Sequence, residues 1–298
     1  MTVTVADQIC AHDGARERAL QSSLRASAPK SADYARAHCR PESPGGESCA
    51  WYHGVWQYLR LCGLVSSPAW HREFYDKALR RAYEGVESST PRVLISGTAD
   101  FSMLEQVLHS AGRPDAVDVT VIDRCPTPVE ACRWYAGRRA ARITGKIVDL
   151  FTHTMQDASF DVITSDAFLT RFSAAQTAEV LEVWRALLAV GGVAVTTVRL
   201  HGAEDHRTDP EADVSAFVAR LRRTARGAMK ASTLDIDRIA EGAAVYARRM
   251  RSEDLGDEGA VLRAFREGGF EVLAHERAHV EGELYPVTYL RVEAQRLP

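Results

Sequence analysis

The sequence predicts an α/β fold in which a mostly parallel sheet is covered by helices on both faces. Short apolar runs alternate with helical patterns between residues 91 and 200, and this rhythm is typical of parallel strands joined by crossover helices. Helical periodicity precedes this region and returns after it. The 298 residues are 46% hydrophobic and 26% charged, which is the balance of a globular protein with one elaborated domain or two.

The first part of the chain is predicted to be helical. Residues 1–40 have weak helical periodicity, and the turn-forming stretch Arg40–Ser48 (RPESPGGES) then interrupts it. The aromatic stretch Trp51–Cys62 predicts a helix that is apolar nearly all round and that ends at Gly63. We therefore expect residues 1–88 to form a helical extension that covers the core.

A further helix is predicted at the end of this extension. Its start is indicated by Ser67 as the capping residue and Pro68 at the first helical position. An apolar stripe that includes Phe74 follows at helical spacing. This helix leads into the core, which we assign to residues 89–298.

The core alternates predicted strands with predicted helices. The predicted strands are Val93–Ile95, Val117–Ile122, Ile143–Val148, Phe160–Thr164 and Val193–Val198. The helices between them are Phe101–Ala111, Pro126–Arg139 and Ala174–Ala189. Gly191 and Gly192 are expected to cap the last of these helices. Connections of this length between parallel strands are expected to be right-handed crossovers.

The rhythm breaks after the fifth strand, where a helical insertion is predicted at about residues 202–257. Its two helices are predicted over Ala212–Met229 and Leu234–Arg251. A further helix ends at Gly268, and a closing pair of strands follows. These two strands are predicted over Phe270–Val280 and Tyr285–Ala294.

Charge and apolar patterning exclude several classes of function. The net charge of −3 does not point to a nucleic-acid backbone as partner. No apolar run reaches the length of about 18 residues that a membrane span needs, and the first residues lack the apolar block of a secretory signal. We therefore expect a cytoplasmic protein that acts on a small molecule, as a monomer or a homodimer.

The six cysteines are spaced too widely to predict a metal site. None belongs to a close CxxC pair and none lies near a patterned pair of histidines, whereas zinc sites favour tight spacing of their ligands. We therefore interpret the cysteines as reduced thiols and predict no bound metal. Cys125 has two interpretations, a nucleophile or a packed thiol beside a turn, and we favour the second.

The stretch PRVLISGTADFSMLEQVL (91–108) is typical of a strand that runs into a helix through a tight turn, where nucleotide-type cofactors bind. A pyrophosphate needs glycines that let it approach the backbone. Ala99 and Phe101 stand where further glycines are expected, and Asp100 repels a phosphate. A cofactor with ribose and adenine but no phosphate fits better, and S-adenosylmethionine (SAM), whose amino group favours a nearby carboxylate, has this chemistry.

Two acids follow the next strands at the same predicted edge of the sheet. Asp123 ends the second strand, where a carboxylate can accept two hydrogen bonds from a ribose diol. Asp149 follows the third strand, where an acid can meet an adenine amino group. Each residue also has a simpler interpretation: Gly97 as a plain turn, Asp123 as a helix cap, and Asp149 as a solvated acid.

Taken together, residues 91–200 resemble the core of the class I SAM-dependent methyltransferases. The stretches that match motifs of this family are VLISGTADFS, VTVIDRCP, VDLF, FDVITSDAFL and WRALLAVGGVAVTTV. Their order and spacing carry the resemblance, although only Gly97 matches the glycine motif. The family implies a Rossmann-like sheet of seven strands, with the last strand antiparallel, and SAM as the cofactor. The residues expected to bind the cofactor are Gly97, Thr98, Ala99, Asp100, Asp123, Arg124, Asp149, Leu150, Ser165 and Arg60.

The resemblance implies methyl transfer, for which an enzyme mainly supplies proximity and alignment. The Asn/Asp-Pro-Pro-Tyr/Phe stretch of nitrogen methylases of the DNA and protein type is replaced here by Ser165-Asp166-Ala167-Phe168, which disfavours that class. Candidate catalytic residues are Tyr58, His53 and Asp166, with Arg199 and His201 expected in the same region. The alternative interpretations are helix packing for the aromatic stretch and a capped helical turn for Asp166.

We expect the helix over Trp51–Cys62 to form a lid over the methionine end of the cofactor, where Tyr58 or Arg60 binds the carboxylate. Two other functions share the fold. A SAM-dependent cyclase expels methylthioadenosine and forms a small cyclic amino acid. A non-catalytic binding module retains the fold alone, although the presence of both Asp123 and Asp149 weighs against that interpretation.

Overall fold

The computed structural model describes residues 5–41, 47–87, 90–152, 159–200, 210–228, 235–280 and 287–298. Its α-helices are α1 Val5–His38, α2 Ala50–Leu61, α3 Arg72–Glu84, α4 Ser102–Ser110, α5 Pro126–Arg138, α6 Ala174–Leu187, α7 Pro210–Ala228, α8 Ile236–Arg249 and α9 Glu258–Glu267. Its strands are β1 Arg92–Ser96, β2 Asp118–Asp123, β3 Ile143–Ile147, β4 Phe160–Asp166, β5 Leu188–Leu200, β6 Phe270–Val280 and β7 Val287–Arg296. Among these described helices, none has the length and apolar character needed to cross a membrane.

The strands form one seven-stranded sheet in the order β3-β2-β1-β4-β5-β7-β6. The five strands β3, β2, β1, β4 and β5 are parallel to their neighbours in this order, and β7 is antiparallel to both β5 and β6. The direction in which strands are added reverses between β1 and β4, which creates the crevice where open α/β sheets bind ligands. The predicted α/β class, the seven strands and the antiparallel last strand are confirmed.

Two hydrophobic clusters cover the two faces of the sheet. Successive side chains of a strand point to opposite faces, so Val93 and Ile95 of β1 enter one cluster and Leu94 enters the other. The first cluster includes residues from α1 to α5 and from α7 and α8, and the second includes residues from α6 and α9. The sheet is therefore buried on both sides, as its continuous apolar runs predict.

The N-terminal helix α1 is longer and better packed than its weak periodicity indicates. Leu20 and Leu24 are buried in the same cluster as β1. Arg16 reaches from α1 to Glu105 on α4 at 2.9 Å and to Asp76 on α3 at 3.1 Å. The described part of the helical extension therefore shares a hydrophobic core with the sheet and an ion-pair network with helix α4 of the core domain.

The connection between α6 and β5 differs from the sequence prediction. The sequence predicts a helix as far as Ala189, but α6 ends at Leu187 and β5 begins with the next residue. Gly191 and Gly192 therefore lie inside the strand, and their assignment as a helix cap is wrong. Gly191 has φ +81°, and the pairing with β4 changes register across this stretch. The two glycines form a strand irregularity, because positive φ is readily available to glycine.

The segment after Ser67 also differs in detail. Pro68–His71 forms a 3-10 helix before α3 begins at Arg72, and the Ser67 side chain makes no capping hydrogen bond. Pro68 still occupies a first helical position, where its fixed φ suits the turn. The tighter turn places His71 in the interior, at 0% exposure.

Burial of His71 predicts a pH-dependent stability. Its Nδ1 accepts a hydrogen bond from Arg291 Nε at 3.2 Å, and burial, followed by the charge of Arg291, lowers the pKa of His71 to about 3. The unfolded chain binds a proton on this ring below about pH 6.5, whereas the folded chain does not. Unfolding therefore becomes easier as the pH falls, by about 1.4 kcal/mol per pH unit between these two pKa values.

The His71→Asn variant is expected to lose this contribution and to show a flatter pH dependence. Urea unfolding of the wild type and the variant at neutral pH and at about pH 5 measures the difference. His279→Asn on the exposed side of β6 is the matched control. Identical slopes for the wild type and His71→Asn contradict the prediction.

Candidate functional site

A cavity of 590 Å³ opens at the carboxyl ends of β1, β2 and β4, beside the reversal of strand order. From the core loops it is lined by Gly97, Thr98, Ala99, Asp100, Asp123, Arg124, Asp149, Leu150, Asp166 and Phe168, among others. From the helices above, its lining includes Trp51, Tyr52, His53, Trp56, Arg60, Tyr246 and Met250. Most of the residues predicted to form the site therefore meet in one place.

Gly97 makes the turn that leads from β1 toward α4. Its φ of +70° lies in the left-handed region that favours glycine, and its N–H donates to Ile122 O on β2 at 2.9 Å. The Phe168 ring lies directly against it, so a Cβ at this position would be 2.2 Å from Phe168 Cε2. Any larger side chain is excluded, and the aromatic ring covers the glycine backbone from the cavity side.

Asp123 links the two loops that follow β1 and β2. Its Oδ2 accepts a hydrogen bond from Thr98 N at 3.1 Å and its Oδ1 accepts one from Cys125 N at 2.7 Å. Burial raises the pKa of Asp123 to about 6, against the opposing effect of His53 and of these amides. The α5 helix has Cys125 as its capping residue, so the interpretation of Asp123 as a helix cap does not describe its position.

Asp100 and Arg60 form a buried ion pair at one end of the cavity. Arg60 Nη1 donates to Asp100 Oδ2 at 2.8 Å, and both side chains are at most 4% exposed. Asp100 Oδ1 also accepts from Ser102 N at 2.8 Å. The pair joins α2 to the loop after β1, and each charge is compensated by the other.

Asp149, Leu150 and Arg124 complete the side of the cavity next to β2 and β3. Asp149 Oδ1 accepts from Phe151 N at 3.0 Å, which fixes the turn after β3. Leu150 is half-buried, and Arg124 is exposed at the rim. This side of the cavity therefore combines an oriented carboxylate with an apolar surface.

Asp166 lies at the end of β4, and the hydroxyl groups of Tyr75 and Thr197 orient its carboxylate. Its Oδ1 accepts from Tyr75 Oη at 3.0 Å and from Thr197 Oγ1 at 2.8 Å. Burial, followed by the charge of Asp166, raises the pKa of Tyr75 well above its usual value, so the phenol keeps its proton. Asp166 is thus a positioned acceptor in the cavity wall, and its interpretation as a helix cap is not needed.

Aromatic side chains of α2 and α8 form the roof of the cavity. Tyr52 lies 4.9 Å from Trp56 and 6.0 Å from Tyr246 between ring centroids, and Trp51 lies 6.4 Å from Tyr246. The predicted aromatic helix therefore does cover the cavity, with a helix of the insertion packed beside it. Tyr52, Trp56 and Arg60 share one face of α2 because they are four residues apart.

Two of the predicted site residues do not line the cavity. Tyr58 is buried in the helical layer, where burial and the charge of Asp33 raise its pKa to about 12. Its position two residues from Trp56 turns it away from the cavity-facing side of α2. Ser165 is fully buried and shares a hydrogen bond of 2.8 Å with Thr196 inside the sheet. The placement of Tyr58 and Ser165 in the site is therefore wrong.

His53 lies in the cavity wall, but its ring faces sulfur. Its Nδ1 is 3.4 Å from Cys125 Sγ and 3.7 Å from Cys39 Sγ. We therefore interpret His53 as a contact of these thiols rather than as a catalytic residue. Arg199 lines the cavity as expected, whereas His201 lies outside the described residues.

Sequence reasoning missed Tyr75, Thr197 and Tyr246. Tyr75 contacts Asp166 from α3, 91 positions away in the chain, and Tyr246 reaches the roof from the insertion. The available signal for Tyr75 was a tyrosine beside the predicted apolar stripe of its helix. That signal indicates burial, whereas the partner of a buried phenol is decided by tertiary packing.

No protein-family model and no curated protein matches this sequence. Its fold is similar to that of the N-methyltransferase NodS from Bradyrhizobium japonicum WM9 in complex with S-adenosyl-L-homocysteine (SAH). That comparison has a TM-score of 0.50 at 15% identity and covers 83% of this chain and 98% of the other. The fold is also similar to that of magnesium protoporphyrin IX methyltransferase (ChlM) from Synechocystis PCC 6803 with bound SAH. That comparison has a TM-score of 0.51 at 11% identity and covers 83% of this chain and 96% of the other. The chain therefore has the Rossmann-like fold of the class I SAM-dependent methyltransferases.

Proposed function

We propose that the protein binds SAM in this cavity and transfers its methyl group to a small-molecule acceptor. The observation that best supports this proposal is that Gly97, Asp123 and Asp149, which lie at the carboxyl ends of three neighbouring strands, line one cavity of 590 Å³. This volume lies within the range of about 300–1,000 Å³ that is typical of small-molecule sites. Proteins of the same fold have been solved with SAH bound.

The residues near β2 and β3 fit an adenosine group. A carboxylate offers about four lone-pair positions, and the amides of Thr98 and Cys125 use one on each oxygen of Asp123. The remaining positions suit the two hydroxyls of a ribose. Asp149 suits an adenine amino group, and Leu150 offers an apolar surface to the ring.

The ion pair of Arg60 and Asp100 fits the methionine end of the cofactor, which carries a carboxylate and an ammonium group. A guanidinium has five N–H donors, so Arg60 can hold Asp100 and a ligand carboxylate together. Asp100 attracts the ammonium group. The Phe168 ring covers Gly97, so a ligand that approaches this backbone must displace the ring.

The acceptor is expected between Asp166 and the aromatic roof. Bound SAM supplies an electrophilic methyl group on its sulfonium. Tyr52 and Trp56 exclude water and align a flat or apolar acceptor, which is the main requirement for an in-line displacement. Asp166, held by Tyr75 and Thr197, orients an amine or accepts a proton when the acceptor must lose one.

Calorimetry of the full-length protein with SAH, SAM and NAD tests the cofactor assignment. We expect binding of SAH and SAM and none of NAD, because the Gly97 turn lacks the glycines that a pyrophosphate needs. Tight NAD binding, or no binding of SAH, contradicts the proposal.

Product analysis tests the reaction. Mass spectrometry after incubation with SAM and a panel of small amines, phenols and thiols is expected to show SAH and a methylated acceptor. Methylthioadenosine formed without any acceptor would instead indicate attack on the aminobutyl carbon of the cofactor, which is the cyclase reaction. SAH binding without either product would indicate that the protein is a non-catalytic binding module.

A further inference from the structure

Three thiols and one imidazole converge beside the cavity, from three separate parts of the chain. Cys39 follows the end of α1, Cys49 and Cys125 directly precede α2 and α5, and His53 lies in the first turn of α2. Cys125 Sγ is 3.5 Å from the sulfur of Cys39 and 3.5 Å from that of Cys49. With His53 Nδ1 included, all four potential ligand atoms lie within 4.8 Å of one another.

We propose that Cys39, Cys49, His53 and Cys125 bind a Zn²⁺ ion. Zinc bonds of about 2.3 Å to sulfur and 2.0–2.1 Å to nitrogen in a tetrahedron place two sulfurs about 3.8 Å apart and a sulfur and a nitrogen about 3.6 Å apart. The two sulfur pairs measured above are each 3.5 Å apart, and the sulfur–nitrogen distances are 3.4 and 3.7 Å. The ligand set Cys₃His is a common tetrahedral zinc set, and soft thiolates select this metal over magnesium or calcium.

The surroundings favour thiolates at this point. Cys49 and Cys125 are the capping residues of α2 and α5, and the partial positive charge of a helix N-terminus stabilises a thiolate. Thr127 Oγ1 lies 3.2 Å from Cys39 Sγ, where a hydroxyl can donate to a metal-bound sulfur. Cys39, His53 and Cys125 are at most 9% exposed, and Cys49 is half-buried at the cavity wall, so a bound ion is shielded from solvent on most sides.

A metal ion accounts for all four groups, whereas a disulfide accounts for two. A bridge between any two of the thiols would leave the third thiol and the imidazole of His53 facing it without a function. Weak hydrogen bonds between thiols do not explain the convergence either, because a thiol is a poor donor and a poor acceptor. The assignment rests on these four residues and not on the proposed function.

The proposed ion has a structural role, since four protein ligands fill a tetrahedral zinc site and leave no open position. It joins the helical extension, through α1 and α2, to the loop after β2. The amide of Cys125 donates to Asp123, so the ion also fixes the loop that carries this carboxylate. Removing the metal is therefore expected to loosen the roof of the cavity and the position of Asp123 together.

Metal analysis of the untagged full-length protein, purified without chelators, tests the site. We expect one equivalent of zinc in the wild type and loss of most of it in Cys125→Ser and Cys39→Ser. Cys62→Ser is the control, because Cys62 is a buried thiol at the end of α2 outside the cluster, and it should retain its zinc. Circular dichroism establishes whether each variant is folded.

A second measurement uses the wild type alone, so that a poorly folding variant does not decide the matter. Replacement of zinc by Co²⁺ is expected to give the visible absorption of a tetrahedral cobalt–thiolate site. The proposal is overturned by wild-type protein free of zinc, by iron in its place, or by equal zinc in folded Cys125→Ser. A disulfide among these thiols, detected as the loss of two hydrogen masses, overturns it as well.

Discussion

Replacement of Asp123 with alanine is expected to remove most of the affinity for SAM and SAH while the protein remains folded. In the proposed complex this carboxylate accepts two hydrogen bonds from the ribose diol. Hydrogen bonds to a charged group contribute about 1.5–3 kcal/mol each. The loss of two such bonds corresponds to binding that is about 10²- to 10⁴-fold weaker.

Asp123 also ties two loops together through the amides of Thr98 and Cys125, so the alanine variant removes a tether as well as two ligand contacts. Asp123→Asn separates these effects. Its side-chain oxygen can still accept from one amide and its NH₂ group can donate to a hydroxyl, but the charge is lost. We therefore expect an affinity between those of the wild type and the alanine variant.

Calorimetric titration with SAH measures the three affinities. The matched control is Asp118→Ala, at the exposed start of the same strand, and it should bind SAH like the wild type. Circular dichroism establishes that each variant is folded. The zinc content of each variant shows whether the loop after β2 keeps the proposed metal site. Unchanged SAH affinity in a folded Asp123→Ala protein would mean that Asp123 only organises the loops.

The fold could be predicted from the sequence because its determinants are local. In β1 the apolar run continues through Val93, Leu94 and Ile95, and only a strand covered on both faces buries all three. The exceptions have equally physical causes. Gly191 and Gly192 are typical both of a helix end and of an irregular strand, and the choice between them depends on pairing with β4.

Part of the site could be predicted for a similar reason. Gly97, Asp123 and Asp149 lie at the carboxyl ends of neighbouring strands, so their positions in space are set by the order of the elements. Ser165 immediately precedes the end of β4, but the alternation of side chains directs it into the sheet while Asp166 reaches the cavity. An error of one residue in a strand therefore reverses the assignment.

The thiol cluster could not be predicted from spacing. Cys39 and Cys125 are 86 positions apart, and their approach depends on how α1 packs against the core. One local signal was present: Cys49 and His53 are four residues apart at the start of a helix, a spacing that places two side chains on one face. Zinc sites commonly draw their ligands as closely spaced pairs. Here only Cys49 and His53 form such a pair, and the other two ligands lie far apart in the sequence.

Replacement of Arg16 with methionine is expected to lower the free energy of unfolding by about 3–5 kcal/mol, which is the typical cost of breaking a buried ion pair from one side. Arg16 is 6% exposed. Its Nε and Nη2 donate to the two oxygens of Glu105 at 2.9 and 3.0 Å, and Nη2 also donates to Gln106. Nη1 donates to Asp76 at 3.1 Å. One guanidinium thus connects α1 to α3 and α4.

The cost arises because methionine fills much of the space of Arg16 but leaves two carboxylates without their counter-charge in a poorly solvated place. Arg36→Met on the same helix is the matched control. Arg36 is 48% exposed and pairs only with exposed Asp33 among the described contacts, so its replacement should cost no more than about 0.5 kcal/mol. Urea unfolding of the two variants measures the difference.

The double variant Arg16→Met, Glu105→Gln tests whether the effect comes from the uncompensated charge. Neutralising Glu105 removes the acid that shares two hydrogen bonds with Arg16, so part of the lost stability should return and the two changes should not be additive. If Arg16→Met costs no more than Arg36→Met, the ion-pair network does not hold α1 against the core. If it costs several kcal/mol and Glu105→Gln restores nothing, the loss comes from packing of the arginine stem rather than from its charge.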